Sequence, residues 1–280
     1  MTISIHTALL TTQAKLAGTT SSPLRESEWL LTHVTGLSSG LLHIHAAQNL
    51  TAAQAETLTN LTTRRATGEP LAYLLGEQPF WTLDLKVTSS VLIPRPETEL
   101  LVERALHHIG HDATASVLDL GTGSGAIALA IAKERPQLRV LATDSSLPAL
   151  EVARSNAALH QLHHVQFLHS NWFDQIPPQT FSVILSNPPY IGDNDTHVDP
   201  SVRRHEPHSA LFSGLDGLND LRKIINSSAP YIASGGWLAL EHGWQQAPAV
   251  REMLELAGFT SVASHRDLAG HLRMTEGQRP

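Results

Sequence analysis

The chain has 280 residues, a formal charge of −7, 41% hydrophobic and 16% charged residues, and no cysteine. That length suits two domains, the apolar fraction can fill packed cores, and the low charge content excludes a disordered chain. Without cysteine there is no disulfide framework, thiolate zinc site or cysteine nucleophile. No apolar run reaches the roughly 18 residues of a membrane span. Met1–Leu10 lacks the basic start and apolar block of a signal peptide, so the expected compartment is the cytoplasm. The negative charge argues against a long nucleic-acid footprint but leaves room for a local basic patch. Full protonation of the 17 histidines would carry the formal charge from −7 to +10. Such a chain is expected to be pH-sensitive near about pH 6.

The first seventy or so residues read as a small helical bundle. Ile5–Leu16 carries apolar residues at helical spacing, Ser22-Pro23 is a helix start followed by Leu24, Trp29, Leu30 and Leu31, and Gly36 and Gly40 break the chain. Thr51 caps Ala52–Ala66, with Glu56 close behind, and Gly68-Glu69-Pro70 is a stop. Pro79–Val91 alternates, with Phe80, Leu83, Leu85 and Val87, and predicts a hairpin. Pro94-Arg95-Pro96 is a stiff connector, and a helix follows over Glu97–His108.

From Ser116 onward strands and helices alternate. Strands are predicted at Val117–Leu120, Arg139–Thr143, Val165–His169, Phe181–Leu185 and Trp237–Glu241, with short closing strands at Phe259–Ser264 and Leu272–Thr275. Helices are predicted at Ala126–Arg135, Pro148–His160, Leu218–Ile232 and Ala247–Ala257. This alternation implies a mostly parallel sheet covered on both faces, with the functional crevice at the carboxyl ends of its strands. Gly192–Leu215 lacks periodicity and is expected to be a substrate loop.

Asp119-Leu120-Gly121-Thr122-Gly123-Ser124-Gly125-Ala126 occupies a strand-to-helix turn, where glycines let the backbone approach a ligand. By itself the string fits a methyl-donor site, a dinucleotide site or a tight turn. Asp119 favours the first: a carboxylate at the strand end would repel a pyrophosphate, yet can face the ammonium group of S-adenosylmethionine. Asp144 ends the next strand, 23 positions after Gly121, where a carboxylate can accept both ribose hydroxyls or cap the following helix. Ser186-Asn187-Pro188-Pro189-Tyr190 follows directly on the strand Phe181–Leu185. Its prolines fix the backbone so that carbonyls point into the crevice. The Asn187 amide oxygen and the Pro188 carbonyl can both accept from one planar NH₂ group, and Tyr190 offers a ring face. An ordinary proline turn is the alternative.

Together, Asn187–Tyr190 and Gly121–Gly125 resemble the amino-methyltransferases. Ile93-Pro94-Arg95-Pro96-Glu97-Thr98-Glu99, Ser170-Asn171-Trp172-Phe173 and Glu241-His242-Gly243-Trp244 narrow the resemblance to the release-factor glutamine methyltransferase family (HemK/PrmC type), over nearly the whole chain. The resemblance implies a Rossmann-like, mostly parallel seven-stranded methyltransferase sheet behind a helical-bundle domain and a hairpin. The expected boundaries are 1–76 for substrate recognition, 77–96 for the hairpin linker and 97–280 for the S-adenosylmethionine domain. It further implies S-adenosyl-L-methionine as cofactor, peptide chain release factors as partners, and N(5)-methylglutamine in their Gly-Gly-Gln motif as product. Cofactor contacts are implied for Gly121, Thr122, Gly123, Ser124, Gly125, Asp144, Trp172 and Asn187. Substrate contacts are implied for Asn187, Pro188, Pro189 and Tyr190, with Asn187, Pro188 and Tyr190 catalytic. One departure is visible: His205 stands where an aromatic is expected before Glu206-Pro207.

Trp172 can lie against adenine or pack in the core; Phe80 and Arg95 can wall the pocket, or serve the hairpin and the surface. The histidine pairs His107/His111 and His160/His164 lack an acidic partner at a recognised metal spacing, so no metal is expected. No G-x-S-x-G elbow supports a serine hydrolase. An adenine-N6 methyltransferase acting on nucleic acid is the nearest rival, disfavoured by the −7 charge and the absence of a basic tract. An oxidoreductase would leave Asn187–Tyr190 idle, and a non-catalytic binding module would leave both ligand motifs idle.

Overall fold

The computed structural model describes residues 3–110 and 114–280. The chain divides into two units: Met1–Gly76 with Asp199–His205, and Glu77–Val198 with Glu206–Pro280.

In the first unit, helices α1 (Ile5–Leu16), α2 (Pro23–Thr35), α3 (Ser39–Ile44), α4 (Ala52–Ala66) and α5 (Leu71–Leu75) pack around Leu16, Leu30, Leu31, Leu42 and Leu61. Ser4 caps α1, and Thr51 caps α4 in a reciprocal box whose partner is Gln54, three residues on, rather than Glu56. Glu26, nearly buried on α2, accepts from Arg65 of α4 at 2.6 and 3.1 Å, so a charge removed from water is paired.

The second unit opens with the hairpin β1 (Glu77–Phe80) and β2 (Leu83–Lys86). The hairpin is part of this unit's core rather than a free linker: Phe80, Leu83 and Leu85 are buried in its main apolar cluster. Asn156 fastens it further, accepting from the Lys86 amide at 2.7 Å and donating to the carbonyls of Lys86 and Ser124. A single 3₁₀ turn, Pro96–Thr98, leads into α6 (Glu99–Ile109), so the expected helix starts two residues late.

Then come β3 (Ser116–Leu120), α7 (Ala126–Glu134), β4 (Arg139–Asp144), α8 (Leu147–Leu159), β5 (Gln166–His169) and β6 (Phe181–Ser186). Next in the chain is α9 (Pro200–His205), which belongs to the first unit, and the second unit resumes with α10 (Asn219–Ser228), β7 (Ile232–Glu241), α11 (Ala247–Leu256), β8 (Thr260–Arg266) and β9 (Leu272–Gln278). Among the described residues the sheet has seven strands in the order β5-β4-β3-β6-β7-β9-β8, parallel except for β9, which runs antiparallel to β7 and β8. Successive side chains on a strand point to opposite faces. Val117, Val183 and Leu185 accordingly join the cluster of α6 and α7, while Leu118, Leu120 and Ile184 join that of α10 and α11. Burial on both faces explains why these strands read as continuous apolar runs.

Two expectations are corrected here. The helix expected over Leu218–Ile232 ends at Ser228, because Pro230 removes a helical donor, and β7 starts at Ile232 rather than Trp237. The segment Gly192–Leu215 is not structureless, since it contains α9 and a 3₁₀ turn at His208–Ala210.

Candidate active site

Four parallel strands deliver their carboxyl ends to one cleft: β3 at Gly121, β4 at Asp144, β5 at Ser170–Trp172 and β6 at Asn187. The cleft straddles the place where strand order reverses, between β3 and β6, where connections leave in opposite directions and open a crevice.

The glycine loop is folded by its own backbone and by one buried acid. Thr122 N donates to Thr143 O, and Gly125 N to Thr122 O, each at 2.8 Å. Gly125 occupies the N-cap of α7 and has no side chain with which to satisfy the first amides of the helix. Asp119 substitutes for it: Oδ2 accepts from Ala128 N at 3.2 Å and from Thr122 Oγ1 at 2.5 Å. Only glycine suits position 125, where φ is +87° and a Cβ would stand 2.9 Å from Leu129 Cδ1. Asp119 is fully buried and does not line the cleft. The expectation that it faces the cofactor's ammonium group is therefore corrected: it lies beneath the loop and holds it. Burial, opposed by the bonds from Thr122 and Ala128, pushes its carboxyl up to about 7.

Asp144 does line the cleft, half-buried. Its Oδ2 accepts from Gly123 N at 2.9 Å and its Oδ1 from Ser146 N at 2.8 Å, so it joins the glycine loop to the end of β4. It does not cap α8; Ser146 does, accepting from Ala149 N. Each carboxylate oxygen keeps lone-pair capacity for a further donor. Burial raises the Asp144 carboxyl above its ordinary value.

Trp172 also lines the cleft, with its ring against Gly121, where a Cβ would lie 3.4 Å from the indole. Its backbone is left-handed, φ +53°, a costly conformation for a bulky residue. Its Nε1 donates to Asp220 Oδ1 at 3.1 Å, and Asp220 is fixed in turn by Ser213. Asp220 carried no motif in the sequence and was not expected at the site; an Asn-Asp pair at the start of α10 was the available signal.

Asn187 lines the cleft beside Pro189. Its Nδ2 donates to Thr98 Oγ1 at 3.1 Å, while its Oδ1 is shielded from solvent and has no hydrogen-bond partner. Pro188 is buried and Tyr190 half-buried, and neither contributes to the cleft wall. The Tyr190 hydroxyl donates to Glu241 Oε1 at 3.2 Å, and burial raises its pKa further. Gly125, too, stays behind the wall. The structure thus brings Gly121, Thr122, Gly123, Ser124, Asp144, Trp172, Asn187 and Pro189 to one surface. Phe80 belongs to the core, and Arg95 is paired with the buried Glu206, which also accepts from Ile93 N. The His160 ring is engaged with Asp84 O at 2.8 Å, and His111 lies outside the described residues. Among the described residues no cluster of three or more His, Asp or Glu could hold a metal ion, and no helix is long and apolar enough to cross a membrane.

A parallel sheet closed by one antiparallel strand, with a glycine turn and an acidic strand end beside the reversal, is the frame of the Rossmann-like methyltransferases. Residues 96–203 match the family model of the methyltransferase small domain, and residues 7–76 that of the PrmC N-terminal domain. The solved structure of a methyltransferase from Pyrococcus furiosus shares this fold, with a TM-score of 0.54 at 18% identity over 79% of this chain and 98% of that one. The release factor glutamine methyltransferase of Xylella fastidiosa (strain Temecula1 / ATCC 700964) is 48% identical over 255 residues, 91% of this chain and 93% of that protein. The enzyme of the same name from Coxiella burnetii is 42% identical over 277 residues, 99% of each chain. The chain belongs to the release factor glutamine methyltransferase family.

Proposed function

We propose that this enzyme transfers a methyl group from S-adenosyl-L-methionine to the side-chain amide nitrogen of the glutamine in the Gly-Gly-Gln motif of peptide chain release factors, in support of translation termination in the cytoplasm. The observation that carries this reading, beside family membership, is the unpartnered Asn187 Oδ1 at the cleft. A buried acceptor without a donor is costly, and a substrate NH₂ group would relieve it.

The cleft suits the cofactor. Its described lining includes two carboxylates, Asp144 and Asp220, and neither lysine nor arginine. That balance favours a cationic ligand without phosphates over a pyrophosphate. Asp144 would accept from the ribose hydroxyls, Trp172 would cover the adenine, and the loop Gly121–Ser124 would meet the ligand with its backbone. When bound, S-adenosylmethionine supplies an electrophilic methyl group on a sulfonium centre.

The chain's own residues would prepare the nucleophile. The lone pair of an amide nitrogen is delocalised into its carbonyl. Asn187 Oδ1, by accepting one of the amide hydrogens, would draw electron density back onto nitrogen and fix its direction. Positioning and electrostatics do most of this work, and the proton departs to water. The helical unit would select the protein substrate. Tritium transfer from labelled S-adenosylmethionine should label release factor and leave DNA and RNA unlabelled; label in nucleic acid alone would replace this reading with that of an adenine methyltransferase.

A further inference from the structure

Two sequence strings, Pro-Arg-Pro-Glu-Thr-Glu and Glu-His-Gly-Trp, have no role in the mechanism above, yet they meet beside Asn187, where Thr98 also lines the cleft. Thr98, from the 3₁₀ turn before α6, and Glu241, from the carboxyl end of β7, are 143 residues apart in sequence. Both are buried, and Thr98 Oγ1 donates to Glu241 Oε2 at 2.7 Å. Glu241 Oε1 is taken by the Tyr190 hydroxyl.

We propose that Thr98 and Glu241 are positioning residues that fix which end of the Asn187 amide meets the substrate. The claim rests on the reading that Asn187 accepts from the substrate amide. An ionised carboxylate only accepts hydrogen bonds, and a threonine hydroxyl has one hydrogen to give. Glu241 takes that hydrogen, so Thr98 presents only a lone pair to Asn187. The amide must therefore turn its NH₂ toward Thr98, at 3.1 Å, which leaves its shielded oxygen, without a protein partner, for a donor of the substrate. The opposite orientation would set an NH₂ donor against the NH₂ of the substrate. An asparagine without this control is nearly symmetric in shape and free to present either end.

The arrangement depends on Glu241 being ionised. Burial raises its carboxyl to about 7, opposed by bonds from Thr98 and Tyr190. The charged groups facing it are Arg273 of β9, which lowers the value, and Glu97 of the 3₁₀ turn, which raises it. His242, the residue that follows the strand, is pushed down by burial. When protonated at Oε2, Glu241 donates to Thr98, Thr98 regains a hydrogen for Asn187, and the amide is free to reverse.

The test is single-turnover methyl transfer to release factor at saturating S-adenosylmethionine, with cofactor affinity measured by calorimetry. Glu241→Gln, which is able to donate to Thr98, should slow transfer by at least about tenfold, the scale of one orienting hydrogen bond. The rate of wild type should fall as pH drops through about 7, and Glu241→Gln should abolish that fall, while cofactor affinity stays within threefold of wild type. Thr98→Val should match it, Thr98→Ser should recover most of the rate, and the double variant Glu241→Gln/Thr98→Val should be no slower than either single. Glu241→Gln with wild-type rate and an unchanged acidic limb overturns the proposal, even where Asn187→Ala is slow. Wild-type enzyme that fails to methylate release factor overturns the reading beneath it, and the proposal with it.

Discussion

The two turns that meet at the cleft, the glycine loop after β3 and the Asn187 turn after β6, each rest on a buried carboxylate held up to about 7. They use it differently. Asp119 bonds to a hydroxyl and an amide within nine residues of itself, and so shapes backbone. Glu241 bonds to two side chains from remote segments, and through one of them sets the polarity of a third. A surface that receives a ligand through main-chain groups needs its loop held still. A group that grips a reacting nitrogen needs its hydrogen-bond polarity fixed. Damage to the first region should therefore appear in stability and cofactor affinity, and damage to the second in turnover.

Asp119→Ala is expected to give the largest equilibrium effect. It strips Ala128 N and Thr122 Oγ1 of their acceptor inside the core, which should cost about 2–4 kcal/mol of stability in urea unfolding. A loss below about 0.5 kcal/mol, ordinary for a surface change, would mean that the loop holds itself. Asp144→Ala removes the acceptor at the β4 end and should weaken S-adenosylmethionine binding by about 1.5–3 kcal/mol, the scale for hydrogen bonds to a charged group. Wild-type affinity by calorimetry would remove Asp144 from the cofactor site.

The smallest effect separates the two regions from the rest of the sheet by pH. Asp119 and Glu241 have raised values, so the folded chain keeps protons that the unfolded chain releases. Their contribution to stability is full below about pH 4, near the unfolded values, and is lost as pH rises through about 7. Glu276 has the opposite sign: burial alone would raise it, but bonds from His108, His265 and Arg104 hold it below its ordinary value. Its contribution is present above about pH 4 and lost in stronger acid. Tm should therefore fall as pH is raised from about 5 to 8. Asp119→Asn should flatten that slope, and an unchanged slope would show that Asp119 does not carry it.

Much of this was legible in the sequence, because strands buried on both faces are apolar runs and because glycine and proline mark the turns between them. Gly121–Ser124, Asp144, Trp172 and Asn187 lie together at the strand ends that the alternation predicts. What stayed hidden depends on long-range pairing. Asp119 reads as a ligand contact until its partners, Thr122 and Ala128, place it under the loop. Tyr190 reads as an open ring face until its hydroxyl is seen bonded to Glu241. Thr98 and Glu241 stood in recognisable strings, but no local spacing joins residues on separate elements. Asp220 gave only the Asn-Asp pair at the start of α10, a weak signal because an acid at a helix start is ordinary.

The separation of binding from chemistry is tested most directly at Asn187, by measuring cofactor affinity and single-turnover rate on one variant, Asn187→Asp. The substitution keeps an acceptor oxygen, removes the donor to Thr98 and adds a negative charge beside the site of the cationic sulfonium. That charge favours the cofactor ground state over a transition state in which the cation is being neutralised. S-adenosylmethionine should bind at least as tightly as to wild type, while methyl transfer slows by about tenfold or more. A rate within threefold of wild type, at unchanged affinity, would mean that Asn187 only shapes the turn and that the account of the amide grip is wrong.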